Sequence, residues 1–136
     1  MAFVLDASVS ACWAFVDEDY PIADAAFSSL QTGEAVVPAL WWFEVRNILI
    51  VNERRGRIQE RETDFFLRML ALFRIRIDRE PEDAGVLRMA RAQGLSVYDA
   101  AYLELAYREK LPLATLDRRL GEAARLIGVQ LFEKAT

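Results

Sequence analysis

Apolar and polar positions fall along this chain in short blocks whose period changes. Ala2-Phe3-Val4-Leu5 is a continuous apolar run that stops at Asp6, the pattern of a strand buried on both faces. Ser8 to Val16 reads as helix, and Asp17-Glu18-Asp19-Tyr20-Pro21 breaks it, with Pro21 suited to open the next helix, which runs to about Leu30. Ala35-Val36-Val37 is a second short strand, closed by Pro38. A strong helix is expected from Ala39 to about Arg54, punctuated by Arg55-Gly56-Arg57. Glu62 to Phe73 is amphipathic, with Phe65, Phe66, Met69, Leu70 and Phe73 at helical spacing. The period then drops to two, because Phe73, Ile75 and Ile77 alternate with Arg74 and Arg76. Helices follow over Pro81 to Gln93, capped by Gly94, and over Ser96 to Glu109. Leu113-Ala114-Thr115 is a brief strand, Asp117 to Ile127 a helix, and Val129 to Phe132 a last strand.

Five short strands alternating with helices predict an α/β domain around a parallel sheet. No repeat or linker divides the chain, and 136 residues suit a single domain, 1–136. In such sheets ligands bind beyond the carboxyl ends of the strands. Asp6 and Asp117 stand at two such ends.

Composition narrows the chemistry. The chain has no histidine and one cysteine, Cys12. Imidazole acid–base catalysis, His-based zinc sites, intrachain disulfides and thiolate cages are all excluded. The 21 acids outnumber the 17 bases, giving a net charge of −4. Such a chain is no generic nucleic-acid binder, since that affinity comes from neutralising phosphates; it needs a local basic patch or bound cations. The longest uncharged run, Ala7 to Val16, is ten residues, too short to span a bilayer. No signal peptide is evident, and a cytoplasmic protein is expected.

Carboxylates are therefore the candidates for chemistry. Asp6 follows a strand and precedes a helix, which also suits a helix cap. Glu44 lies in an apolar stripe with Leu40, Trp41, Ile48 and Val51, where a carboxylate must be paired, protonated or metal-bound. A salt bridge to an arginine is the competing explanation. Ser96-Val97-Tyr98-Asp99 fits a capping box, yet it opens a helix that is nearly uncharged, where a metal ligand would also sit. Asp117 suits an N-cap, and Thr115 is placed to hydrogen-bond a neighbouring carboxylate. Clustered carboxylates repel, and one or two divalent cations are the natural remedy. Oxygen-only donors suit Mg²⁺ or Mn²⁺, which activate water for attack at phosphorus.

Four segments resemble the PIN domain, specifically VapC-type toxins of toxin–antitoxin pairs. They are Val4-Leu5-Asp6-Ala7-Ser8, the stretch from Pro38 through Glu44 to Leu49, Leu95 to Leu103 around Asp99, and Leu113-Ala114-Thr115-Leu116-Asp117. They occur in family order over nearly the whole chain. The resemblance implies a three-layer α/β/α fold with a five-stranded parallel sheet and Mg²⁺- or Mn²⁺-dependent endoribonuclease activity. It implies Asp6, Glu44 and Asp99 as core metal ligands and Asp117 as a fourth acid, often acting through water. Ser8 and Thr115 would orient carboxylates. Where the family often has Thr, this chain has Ser96, and the hydroxyl is kept. The implied partners are RNA (tRNA or rRNA), a VapB-type antitoxin and a second copy of the chain.

Two other features bear on partners. The helix after Ala39 is apolar nearly all round, with Trp41, Ile48 and Val51 on one side and Trp42, Val45 and Leu49 on the other, which suggests a protein interface. Arg54, Arg55, Arg57 and Arg61 form the densest basic cluster, and the first three are candidate RNA contacts against the plainer reading of a solvated helix end. A haloacid-dehalogenase-like phosphatase wants a second Asp where this chain has Ser8, and a site lysine where only Lys110 and Lys134 exist. A receiver domain fails on its acid pair and lysine. The remaining rival is a catalytically degenerate PIN-like binding module.

Overall fold

The structure, a computed structural model, describes residues 1–133, so the last three positions of the expected domain lie outside the described residues. In chain order the elements are β1 (Ala2–Leu5), α1 (Ala7–Cys12), α2 (Pro21–Leu30), β2 (Glu34–Pro38), α3 (Leu40–Arg54), α4 (Glu60–Leu70), β3 (Ile75–Asp78), α5 (Asp83–Gln93), α6 (Val97–Glu109), β4 (Leu113–Ala114) and α7 (Arg118–Leu126). The strands form one parallel sheet in the order β3-β2-β1-β4. Phe3, Val4, Leu5, Val36 and Val37 are fully buried, because helices cover the sheet. Helix α6 lies against β1, β2 and β4 and is packed by α5 and α7, while α1 packs on α2 and α3. The result is the expected three-layer α/β/α class.

The chain leaves β1 toward β2 and β3, then returns through α5 and α6 to lay β4 on the other side of β1. The boundary between β1 and β4 is thus the point where strand order reverses, where ligands of such sheets commonly bind. Pairing of Leu5 with Ala114 sets the register. It puts Asp6 beside Thr115, one residue past the end of each strand.

Four expectations change. The fifth strand is absent among the described residues, and Leu131 makes a single parallel bridge to Leu113. β4 is only two residues long, caught between the Pro112 connection and the Thr115–Asp117 turn, so it offers too short a ladder. Helix α1 ends at Cys12, not Val16, and the Trp13 indole N–H donates to the Ala23 carbonyl at 2.9 Å, tying the turn to α2. Helix α5 begins at Asp83, two residues beyond Pro81. The fourth change concerns the faces of α3. Its buried row is Trp41, Val45, Leu49 and Asn52, while Trp42, Phe43 and Ile50 are exposed. A helix apolar all round carries no polar face to set its rotation. Tertiary contact sets it instead, with the Trp41 indole donating to the buried Ser10 hydroxyl at 2.9 Å.

Other caps follow the local sequence. Pro21 opens α2 at its first turn, Glu62 accepts from the Gln59 backbone N–H at 3.1 Å to close a capping box, and Gly94 ends α5 at φ 63°. No helix of the described residues is long and apolar enough to cross a membrane.

Asp78, at the end of β3, and Glu104 of α6 are buried, and both are bound by Arg108 at 2.6 Å. Both acids lose their water on folding and depend on this one guanidinium. Replacing Arg108 with Met is expected to lower unfolding free energy by about 3–5 kcal/mol, the cost of orphaning buried charge. Urea denaturation at neutral pH reads it, and a change within 1 kcal/mol, counted as about zero, contradicts it.

Candidate functional site

Four carboxylates gather where β1 and β4 end. The Asp6 backbone N–H donates to the Ala114 carbonyl at 3.0 Å, which holds the residue at the sheet edge. Asp6 occupies the N-cap of α1, and its carbonyl accepts from Val9 and Ser10 at 3.1 and 3.3 Å. Its side chain makes no capping bond. The cap expectation is therefore met by the backbone alone, and the carboxylate is free for other work.

That carboxylate is buried, and two hydroxyls orient it. Ser8 Oγ donates to Asp6 Oδ2 at 2.7 Å, and Thr115 Oγ1 donates to the same oxygen at 2.6 Å. Both hydroxyls are themselves fixed by the turn into α7: the Leu116 N–H donates to Ser8 Oγ at 3.1 Å and the Asp117 N–H to Thr115 Oγ1 at 3.0 Å. With both protons on Oδ2, Oδ1 has no protein donor among the described residues. Fixing one carboxylate oxygen while leaving the other open is how a supporting shell presents a ligand.

Glu44 lies one turn into α3 and is half-buried. Its Oε1 accepts from the Tyr102 hydroxyl at 2.6 Å. Among the described residues, no ion pair involves Asp6, Glu44, Asp99 or Asp117, so the arginine partner considered for Glu44 is not found. Asp99 stands at the third position of α6, where its backbone N–H donates to the Ser96 hydroxyl at 3.1 Å. Ser96 thus caps the helix through the Asp99 backbone. Asp117 caps α7, accepting from the Leu120 N–H at 3.1 Å, and is exposed.

The electrostatics show that these acids feel one another. Burial raises the Asp6 pKa above its ordinary 3.8; the Thr115 and Ser8 hydroxyls oppose this, and the charges of Asp99 and Asp117 add to it. Glu44 is raised by burial, against the Tyr102 hydrogen bond, with Asp6 and Asp99 adding their repulsion. Burial and the Asp117 charge raise Asp99, while Ser96 and Arg119 pull the other way. Repulsion among desolvated, unpaired carboxylates is what a bound cation relieves. The donor set is all oxygen, as Mg²⁺ and Mn²⁺ prefer. Among the described residues no group of three or more acidic side chains is arranged to hold a metal ion. Mg²⁺ keeps several waters and needs only one or two direct carboxylates, so the open Asp6 oxygen with one neighbouring acid, the rest reached through water, is compatible with it.

The arginine cluster lies elsewhere. Arg57 is bound to Asp17 at 3.1 Å and to the Asn52 amide oxygen at 2.8 Å, with its guanidinium over the Phe15 ring. Arg54 and Arg55 stand at the far end of α3, about 15 Å along the helix axis from Glu44 at 1.5 Å per residue. Two contributors escaped the sequence reading. Tyr102 is three residues after Asp99, a spacing that places both on one helix face and marks it as a neighbour. Arg119, two residues after Asp117, is the cation whose field reaches Asp99.

A profile of the PIN domain matches residues 3–126. Ribonuclease VapC3 of Pyrobaculum aerophilum is 36% identical over 126 residues, covering 90% of this chain and 94% of that protein. Among solved structures, PAE2754 from Pyrobaculum aerophilum is similar at TM-score 0.69 and 26% identity, covering 90% of this chain and 87% of that one. A toxin-antitoxin complex from Klebsiella pneumoniae (TM-score 0.62, 16% identity, covering 98% of this chain and 99% of that one) shares the fold. So does FitAcB from Neisseria gonorrhoeae, at TM-score 0.64 and 22% identity, covering 98% and 97%.

The raised carboxylates carry a stability consequence. A carboxylate with a raised folded-state pKa holds its proton more tightly when folded, so the protein is favoured below the unfolded value and loses stability as pH rises through the folded one. Asp6→Asn, which cannot ionise, is expected to be more stable than the native chain at pH 7 without divalent cations. The gap should close as pH falls below the ordinary Asp value of 3.8. Urea unfolding across pH measures it, and a variant less stable at pH 7 than at pH 3.8 relative to native contradicts the assignment.

Proposed function

The chain belongs to the PIN-domain family, and on that premise we propose that it is a Mg²⁺- or Mn²⁺-dependent endoribonuclease, the toxin of a VapBC-type toxin–antitoxin pair. The observation that carries this is the gathering of Asp6, Glu44 and Asp99, desolvated and without an ion-pair partner among the described residues, at the β1/β4 switch point. The relative named as a ribonuclease supports the substrate class, and the toxin–antitoxin likeness in fold agrees with the biological role. A degenerate binding module would leave these carboxylates destabilising the fold with no task.

A bound divalent cation supplies Lewis acidity and charge neutralisation for in-line displacement at phosphorus. Asp6, Glu44 and Asp99 would hold it, with Asp117 at the exposed rim. Ser8 and Thr115 keep the Asp6 carboxylate in one rotamer, so its open oxygen is already aimed when substrate arrives. Tyr102 does the same for Glu44. Without histidine, the proton released in the attack has the carboxylates of the site as its acceptors.

Purified protein is expected to cleave looped or single-stranded RNA with Mg²⁺ or Mn²⁺ and to stop in EDTA. Asp6→Asn and Asp99→Asn should each lower kcat by about 100-fold or more, and Thr115→Val by about 10–100-fold. Cleavage that survives chelation, or a fully active Asp99→Asn, would sink the reading.

The partners we propose are a VapB-type antitoxin and a second copy of the chain. The first turns of α3 expose Trp42 at 44% and Phe43 at 68%, an unusual display of aromatic surface, with Arg46 stacked on the Trp42 ring at 3.9 Å. Trp42→Glu should weaken self-association or antitoxin capture by tenfold or more, since a charge replaces an apolar anchor. Sedimentation and antitoxin titration that both match the native chain would remove this surface from consideration.

A further inference from the structure

An acidic protein that cuts a polyanion needs cations of its own along the path of the strand. Several of its arginines are committed elsewhere: Arg57 to Asp17 and Glu18, Arg108 to Asp78 and Glu104, Arg118 to Glu122. Arg119 differs. From the first turn of α7 its Nη2 donates to the Gly94 carbonyl at 2.6 Å, reaching across to the loop that leads from α5 into α6. No carboxylate lies within ion-pair distance of it among the described residues. One contact fixes the guanidinium in place while most of its N–H groups stay open, and the residue is exposed.

That loop delivers Tyr98 as well. Tyr98 sits in the first turn of α6, immediately before Asp99, and is 67% exposed. Its hydroxyl has no partner among the described residues. An exposed aromatic ring one residue before Asp99, with a fixed guanidinium reaching the same loop, matches how unpaired RNA is gripped: phosphate on Arg, base on an aromatic face.

The geometry points to Arg119 and Tyr98 as the bed for a single-stranded RNA, with Arg119 holding a backbone phosphate next to the cleaved one and Tyr98 stacking on an adjacent unpaired base. This rests on the ribonuclease reading and moves the RNA contact away from Arg54, Arg55 and Arg57. Both groups stand at the entrance to α6, the helix that carries Asp99, so a strand held by them passes the acidic site. Sequence preference would then enter through stacking, which discriminates bases weakly, more than through hydrogen bonds to base edges.

The test is steady-state cleavage of a labelled single-stranded RNA at several salt concentrations, with melting curves to confirm folding. Arg119→Gln should raise KM about tenfold with kcat within about twofold, and reduce the slope of log KM against log salt by about 0.7, one phosphate contact on a single strand. Arg119→Lys keeps the charge and should restore the slope. Tyr98→Ala should raise KM about five- to a hundredfold, and Tyr98→Phe should restore it, because stacking needs the ring and not the hydroxyl. Arg55→Gln should leave both quantities unchanged. The proposal is overturned by an unaltered KM and slope in Arg119→Gln, by Tyr98→Phe as damaging as Tyr98→Ala, or by the slope falling in Arg55→Gln instead. If the native chain cleaves with neither metal, the ribonuclease reading fails. Fluorescence anisotropy of the same RNA then reads the bed directly, by whether Arg119→Gln lowers the salt slope of binding.

Discussion

The Asp6 carboxylate sits past the end of β1 with little water around it and no cationic side chain beside it. Ionised carboxylates do not persist in such a place without compensation. Two hydroxyls supply part of it, and both depend on long-range geometry. Thr115 reaches Asp6 across 109 positions of sequence, and Ser8 is held by the backbone of Leu116. The whole β1/β4 junction is thus organised around one carboxylate oxygen. The β1–β4 register, the short β4 strand and the turn into α7 all serve to bring those donors to it. What the hydroxyls leave over, together with the repulsion from Asp99 and Asp117, is what a bound cation would offset in the proposed function.

The molecule handles buried acids in two opposite ways. Asp78 and Glu104 are closed off by Arg108, with every charge answered inside the protein. The Asp6 and Glu44 carboxylates are left with hydroxyl donors only, and Asp99 has no ion-pair partner among the described residues. The first arrangement supports the fold; the second weakens it, as functional sites commonly do, and is the arrangement the proposed chemistry uses. An acidic residue at a strand end is therefore not in itself a site marker, since Asp78 and Asp6 both follow that rule. Their difference lies in whether an arginine from another element arrives.

The cationic side of the surface follows the same logic. Arginines 54, 55 and 57 are dense in sequence, yet they stand at the far end of α3 or are bound to Asp17. Arg119 has fewer cationic neighbours in sequence, Arg118 beside it and Arg125 six residues on, but its guanidinium reaches the loop that leads into the helix carrying Asp99. Local density of charge is a statement about the chain, whereas proximity to a site is a statement about the crossing of elements.

Much of the fold was legible in the sequence, because apolar runs and period changes are local and direct: four of the strands, every helix and the parallel class follow from them. The acids Asp6, Glu44, Asp99 and Asp117 were legible too, since desolvation cost and strand-end position can be read from neighbours in sequence. Only the tertiary structure decided the rest. The rotation of α3, which buries Trp41 and exposes Trp42, was invisible to periodicity in a helix that is apolar all round. The last strand shrank to one bridge because its partner β4 is two residues long. Tyr102 on Glu44, Ser8 and Thr115 on one oxygen of Asp6, and Arg119 over the α6 entrance are all pairings between distant segments. Local sequence sets which residues must leave water; which donors meet them there is set by where the sheet order reverses.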